Sequence, residues 1–143
     1  RHSVIIIRAC IKVGAFWSLE NPASSHMFLM PAIVKLLRLP STQSIVLDQC
    51  MFGLHDPVSK LKYRKRTRFV GNLPSLPDLV RSCDKSHTHE PIIGQVKHNQ
   101  CWVQRSTLAG VYPPNLGKQL VKLTLHDLAT ASLHRRRRLA QAF

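Results

Sequence analysis

Four residues between positions 83 and 101 have side chains that hold a soft divalent metal: Cys83, His87, His89 and Cys101, spaced Cys-x3-His-x-His-x11-Cys. Thiolate and imidazole donors suit zinc, which takes four such ligands in structural sites. The spacing is not that of a standard finger, and a His-x-His pair must reach one ion from neighbouring positions. The competing reading is a pair of loop histidines and two ordinary core or surface cysteines. A second group, Arg64, Lys65, Arg66 and Arg68, has the charge and hydrogen-bonding capacity to hold phosphates. Its alternative is a solvated loop and strand edge, where basic residues also discourage edge-to-edge aggregation. Ser24-Ser25 has no oriented His or Asp partner that the sequence identifies, so helix capping accounts for it better than nucleophilic chemistry.

The charge balance extends the phosphate reading to the whole chain. Among 143 residues, 21 are Lys or Arg and 7 are Asp or Glu, a net charge of 21 − 7 = +14. Removing the run Arg135 to Arg138 still leaves 14 − 4 = +10, so the excess is spread along the chain. Such a chain is drawn to polyanions, and nucleic acid is the commonest of these. No homeodomain, finger or RNA-recognition signature is present, and aromatic residues are only 6%, which does not support a base-stacking platform. Hydrophobic residues at 44% are ordinary for a globular chain and exclude a disordered tail. The absence of a repeat excludes collagen and coiled coil. The densest apolar stretch, Met27 to Leu39, contains Pro31, Lys35 and Arg38 and is too short for a membrane span, so no membrane partner is expected. The chain starts at Arg1 rather than Met, which suggests a fragment or processed product. Four cysteines (Cys10, Cys50, Cys83 and Cys101) are too sparse for a disulfide scaffold, so we expect reduced thiols in an intracellular protein, with the nucleus a candidate compartment.

The elements that must position these residues are of mixed type. Ala15 to Leu19 reads as a short buried strand, ended by the breaker Glu20-Asn21-Pro22. Pro31 fits the first turn of a helix whose residues Ile33, Val34, Leu36 and Leu37 face inward, and Pro40 stops it. Ser44 to Cys50 is a second strand, ended by Phe52-Gly53. A polar loop from Leu54 to Tyr63 leads to a third strand, Thr67 to Gly71, so the two strands form a long hairpin. Leu76 to Ser82 has helical spacing. The pattern weakens from Cys83 to Gln104, where His87, His89 and His98 sit in loop-like surroundings. Pro113-Pro114 open a last helix, with Leu116, Leu120 and Leu123 beside Val121, Leu125 and Leu128 as its apolar stripe, running to about Leu133. Arg135 to Arg138 then complement its dipole. Trp17 and Trp102 are expected in the core. This gives one domain over 1–134 and a basic C-terminal tail over 135–143.

Read in order, these motifs carry a resemblance. They are Trp17-Ser18-Leu19-Glu20-Asn21-Pro22 and Ser24-Ser25, then Asp48-Gln49-Cys50-Met51-Phe52-Gly53, then Tyr63 to Asn72. Cys83 with His87 and His89 follow, and Leu108-Ala109-Gly110-Val111-Tyr112-Pro113-Pro114-Asn115-Leu116 closes the series. From about Phe16 to Leu120 the chain resembles the C-terminal half of cytosine-5 DNA methyltransferase-like domains, in the Glu-Asn-Pro variant of phages and mobile elements. The resemblance implies an α/β fold: a partial Rossmann-like methyltransferase sheet with flanking helices, incomplete on its N-terminal side. A strand ending at Glu20 would lie parallel in it, and the final strand pair would be antiparallel. It also implies DNA as partner, S-adenosylmethionine as the family's cofactor, and Glu20 as the acid that contacts a flipped base, with Asn21 fixing the turn. The family's glycine-rich cofactor loop and Pro-Cys nucleophile would lie upstream of Glu20 and are absent from the 19 residues there; Cys50 lies after the motif. The chain alone is therefore expected neither to bind S-adenosylmethionine nor to methylate. It would be a piece or remnant of such a domain. The alternatives are a non-catalytic basic nucleic-acid-binding module and a translated fragment without a role. A sheet lacking its first half would leave a strand edge and apolar surface exposed, and marginal stability.

Overall fold

The computed structural model describes residues 2–141, with side chains through His134. Helix α1 spans His2–Lys12 and turns Val4, Ile7 and Cys10 toward the interior. The sequence pattern does not announce this helix, because the β-branched run Val4 to Ile7 has low helix propensity; packing of one face outweighs that preference. Its end is well defined. Gly14 sits at φ +69°, the Gly14 amide donates to the Ile11 carbonyl at 3.2 Å, and the Ala15 amide donates to that of Cys10 at 2.8 Å. This is a Schellman cap, which needs the left-handed glycine.

Three strands form the main sheet: β1 (Ser18–Pro22), β2 (Gln43–Asp48) and β3 (Arg66–Gly71), in the order β1-β3-β2. Strand β3 is antiparallel to both neighbours. The expected antiparallel pairing of the second and third strands is therefore present. Strands β1 and β2 run in the same direction and are joined by α2 (Pro31–Leu37), but they do not touch, because β3 is inserted between them as in a split βαβ unit. The expected parallel placement of β1 is corrected accordingly. Two residues explain the order. Pro22 has no N–H to donate to a ladder, which suits β1 to an edge. Gly71 lets β1 approach closely, since a Cβ there would fall 2.4 Å from the Trp17 carbonyl oxygen. The coarse class is mixed α/β with small antiparallel sheets.

Helices cover both faces of this sheet. On one face Ile45, Leu47 and Phe69 pack with Phe52, Leu76 and Leu79 of short 3-10 turns and with Leu116 of α4 (Pro114–Gln141), which follows the one-turn helix α3 (Arg105–Leu108). On the other, Val70 and Trp17 pack with Phe28, Ile33, Leu36 and Ile7. Each fully buried leucine or phenylalanine contributes about 1.5–3 kcal/mol. Buried Asp127 fastens α4 by accepting from the Ser75 amide at 3.0 Å and the Ser75 hydroxyl at 2.5 Å.

The C-terminal helix runs further than the pattern suggests, so the backbone of Arg135 to Arg138 lies within α4 rather than beyond its end. The side chains of that run, and the 135–143 tail as a separate unit, lie outside the described residues. Val121, Leu125 and Leu128 face solvent, so the inward stripe is limited to Leu116, Leu120 and Leu123. The segment Leu76 to Ser82 forms only a 3-10 turn over Leu76–Leu79. A second sheet, missed by the pattern, pairs β4 (Gln95–His98) with β5 (Cys101–Gln104) through a two-residue turn at Asn99 and Gln100, both at positive φ. Trp102 lies on this hairpin and is 69% exposed, so only Trp17 is a core anchor. No helix among the described residues is long and apolar enough to cross a membrane.

Candidate metal centre

Cys50 stands in the 3-10 turn Gln49–Phe52 that follows β2, and its side chain is wholly buried. The turn is fixed by the Gln49 amide, which donates to the Lys65 carbonyl at 3.0 Å, and by Gln49 Nε2, which donates to Thr67 Oγ1 at 2.8 Å. Gly53, at φ +90°, closes it in a left-handed conformation. The partner segment begins at Cys83, where two bonds hold the chain against the end of β2. The Asp48 amide donates to the Arg81 carbonyl at 2.8 Å, and the Cys83 amide donates to Asp48 Oδ2 at 2.9 Å. The chain then folds back on itself. The Lys85 amide points at Cys83 Sγ at 3.4 Å, with Lys85 at φ +61°, and Asp84 Oδ1 accepts from the Ser86 amide at 3.0 Å. This turn brings His87 and His89 up to the sulfur.

The donor atoms of Cys50, Cys83, His87 and His89 all lie within 4.8 Å of one another. Cys83 Sγ is 3.7 Å from His87 Nε2 and 3.5 Å from His89 Nε2. A tetrahedral zinc with ordinary bond lengths puts sulfur and nitrogen ligands about 3.6 Å apart, so these edges fit that ion. His87 Nδ1 has the Ser86 hydroxyl at 3.4 Å and Lys62 Nζ at 3.5 Å, while Asp84 Oδ1, which accepts from that hydroxyl, stands 3.8 Å away.

Burial sets the electrostatics of these donors. Burial pushes the Cys50 thiol up to about 11, with Cys83 and Asp48 adding to the shift. A metal must displace that proton to bind at Cys50, so binding there weakens as pH falls. Burial, then His87 and Arg64, lowers the pKa of His89, which favours the neutral, ligating imidazole. Asp48 is 3% exposed, and its Oδ1 accepts no hydrogen bond; the Arg64 guanidinium stands 3.8 Å away.

Three of the four residues expected at the metal are therefore together. Cys101 is not among them: it is exposed on β5, opposite His98, and Cys50 takes its place. Cys50 lies 83 − 50 = 33 residues before Cys83. No local spacing could link the two; only the pairing of β2 with β3 and the docking of the Arg81 to Cys83 segment on Asp48 do so.

The other expected residues are spread more widely. Glu20 is in the middle of β1, opposite Phe69, rather than at a strand end. The Tyr112 phenol is raised by burial and by Glu20 beside it, and Glu20 Oε1 is buried without a hydrogen-bond partner. Asn21 lies opposite Arg68 and points to the other face, where its Nδ2 donates to Met27 Sδ at 3.4 Å. The two therefore do not form one polar group. The basic quartet divides in the same way. Lys65 Nζ lies 5.7 Å from the Tyr112 ring on the Glu20 face. Arg68 stacks 4.7 Å over Phe28 and donates to Ser44 Oγ at 2.8 Å on the opposite face. Arg64 borders the metal centre, and Arg66 is exposed opposite Asp48.

Comparison with family models, with curated proteins and with solved structures gives no match. The chemistry must be read from the geometry. Two thiolates and two imidazoles complete the coordination of a tetrahedral ion and leave no open position for water or substrate. That is the pattern of a structural site rather than a catalytic one.

Proposed function

We propose that the chain is a zinc-stapled, non-catalytic α/β module that binds nucleic acid through its excess of positive charge. The observation that carries the zinc part of this reading is the convergence of Cys50, Cys83, His87 and His89 from two distant segments. Zinc, when bound there, supplies a cross-link between the end of β2 and the segment after Cys83, which has no helix or strand of its own before β4. The two thiols stay reduced inside the cell, in the nucleus or elsewhere, where nucleic-acid partners also are. The net charge of +14 supplies the attraction to phosphates, and Arg64 and Arg66 are exposed near the stapled region. Fluorescence anisotropy of the zinc-loaded chain with labelled single- and double-stranded DNA tests the reading. Affinity should fall steeply between about 50 mM and 200 mM salt, with a log–log slope corresponding to several phosphates. Absent binding, or binding that ignores salt, would overturn it.

A second reading has two observations in its favour. Glu20 keeps a buried, unpartnered carboxylate oxygen beside Tyr112, and β3 is inserted antiparallel next to β2. On this reading the chain is a piece of a methyltransferase-like sheet, with Glu20 as the inherited base-contacting acid. In that reading zinc holds the remnant together and DNA is the inherited partner. Methyl transfer from S-adenosylmethionine by the isolated chain is not part of it. Isothermal titration with S-adenosylmethionine tests that point, and a saturable heat would overturn it.

A further inference from the structure

From Cys83 to Gly94 the chain has neither helix nor strand, yet this segment must deliver two imidazoles to one point. Asp48 anchors its start through the Cys83 amide. Its far end is held by backbone bonds, among them the Arg105 amide donating to the Gly94 carbonyl at 3.0 Å, and by the Arg105 guanidinium. Arg105 Nε donates to Asp56 Oδ2 at 3.0 Å, and Arg105 Nη1 reaches Glu90 Oε1 at 3.1 Å. Glu90 directly follows His89. The Glu90 amide donates to the Lys62 carbonyl at 2.9 Å, and Lys62 bridges to both His55 and His89. Asp56, with no exposed surface, is the hub. Its Oδ1 accepts from the amides of Val58 at 2.7 Å and Ser59 at 3.0 Å, and its Oδ2 accepts from the Tyr63 hydroxyl at 2.5 Å.

We infer that Tyr63, Asp56, Arg105 and Glu90 form a positioning device for the metal ligand His89, setting metal affinity by holding the ligand loop in place before the ion arrives. The inference rests on the zinc reading above. Ordering free backbone costs conformational entropy, so a loop tethered at both ends gives up less on coordination than one tethered at a single end. The guanidinium fork is what permits one side chain to serve both carboxylates; lysine, a point charge, has no equivalent geometry.

The test is a titration with cobalt(II), a spectroscopic substitute for zinc, of the full chain and its variants. Glu90→Ala should raise the cobalt dissociation constant about tenfold, the lower end of the effect expected for outer-sphere partners. Its tetrahedral d–d absorption should weaken as water replaces His89, while the thiolate-to-cobalt band persists. Glu90→Gln, whose amide oxygen still accepts from Arg105, should recover most of the affinity. Arg105→Lys should not. Glu90→Ala leaves the Arg105–Asp56 pair and its buried hub intact, so it retains the fold even if the Arg105 variant loses it. A purely architectural role would lower the urea midpoint and leave cobalt affinity and spectrum unchanged, which overturns the inference. Failure of the wild-type chain to bind cobalt would instead overturn the zinc reading on which it rests.

Discussion

Replacing Cys50 by serine removes a wholly buried donor from the metal centre, while replacing Cys101 removes an exposed thiol on β5. The two substitutions separate the structure from the local spacing of the sequence, because spacing alone favours Cys101. The magnitude follows from the ligand count. Structural four-ligand zinc sites have apparent binding energies of about 10–16 kcal/mol near neutral pH. Shared over four donors, one thiolate is worth about 2.5–4 kcal/mol, or roughly 70- to 900-fold in the dissociation constant. A serine hydroxyl remains protonated at this position and does not substitute. Competition between each variant and a chromophoric chelator for zinc measures the loss. Cys50→Ser should fall into this range, and Cys101→Ser should stay within about twofold of the wild type. Equal losses in the two variants, or a loss confined to Cys101→Ser, would refute the assignment of the ligands.

Other outcomes follow from the same geometry. Burial opposes ionisation of Asp56, but the bonds from Tyr63, the Ser59 and Val58 amides and Arg105 outweigh it and hold the carboxyl down at about 2, against 3.8 in the unfolded chain. The stability it contributes, about 2 kcal/mol, is present above pH 4 and is lost as pH falls through 2. The gap in urea midpoint between wild type and Asp56→Asn should accordingly be widest at neutral pH and shrink through that window; a gap that does not change with pH would contradict it. Leu116→Ala, at a position with no exposed surface between α4 and the sheet, should cost about 2–5 kcal/mol of unfolding free energy, whereas Leu125→Ala on the solvent face should cost under about 0.5. Acrylamide should quench Trp102 strongly and Trp17 hardly at all, which single-tryptophan variants can separate.

What the sequence revealed and what it hid have physical reasons. Strands β2 and β3 and helix α2 announce themselves because each is an apolar run between strong breakers: Pro40, Gly53 and Gly71 mark the boundaries. The start of α4 is equally plain at Pro113-Pro114. Helix α1 is hidden because its isoleucines prefer strands, and only the packing of Ile7 against Trp17 and Phe28 selects the helix. The β4–β5 hairpin is hidden because most of its residues are exposed and its turn, Asn99-Gln100, lacks the usual glycine. At the metal centre, Cys83, His87 and His89 are legible because they are close in the chain. Cys50 is not, because its nearness to them is a tertiary fact. The faces of Glu20, Asn21 and the basic quartet were likewise beyond a motif reading. The pleat of β1 and β3 separates neighbours that a list of residues places side by side.

Zinc-edge X-ray absorption on the purified, zinc-loaded chain tests the central claim most directly. One equivalent of zinc should show two sulfur neighbours at about 2.3 Å and two nitrogen neighbours at about 2.0 Å. A shell made mainly of oxygen, or a chain that retains no zinc after desalting, would contradict the four-ligand centre.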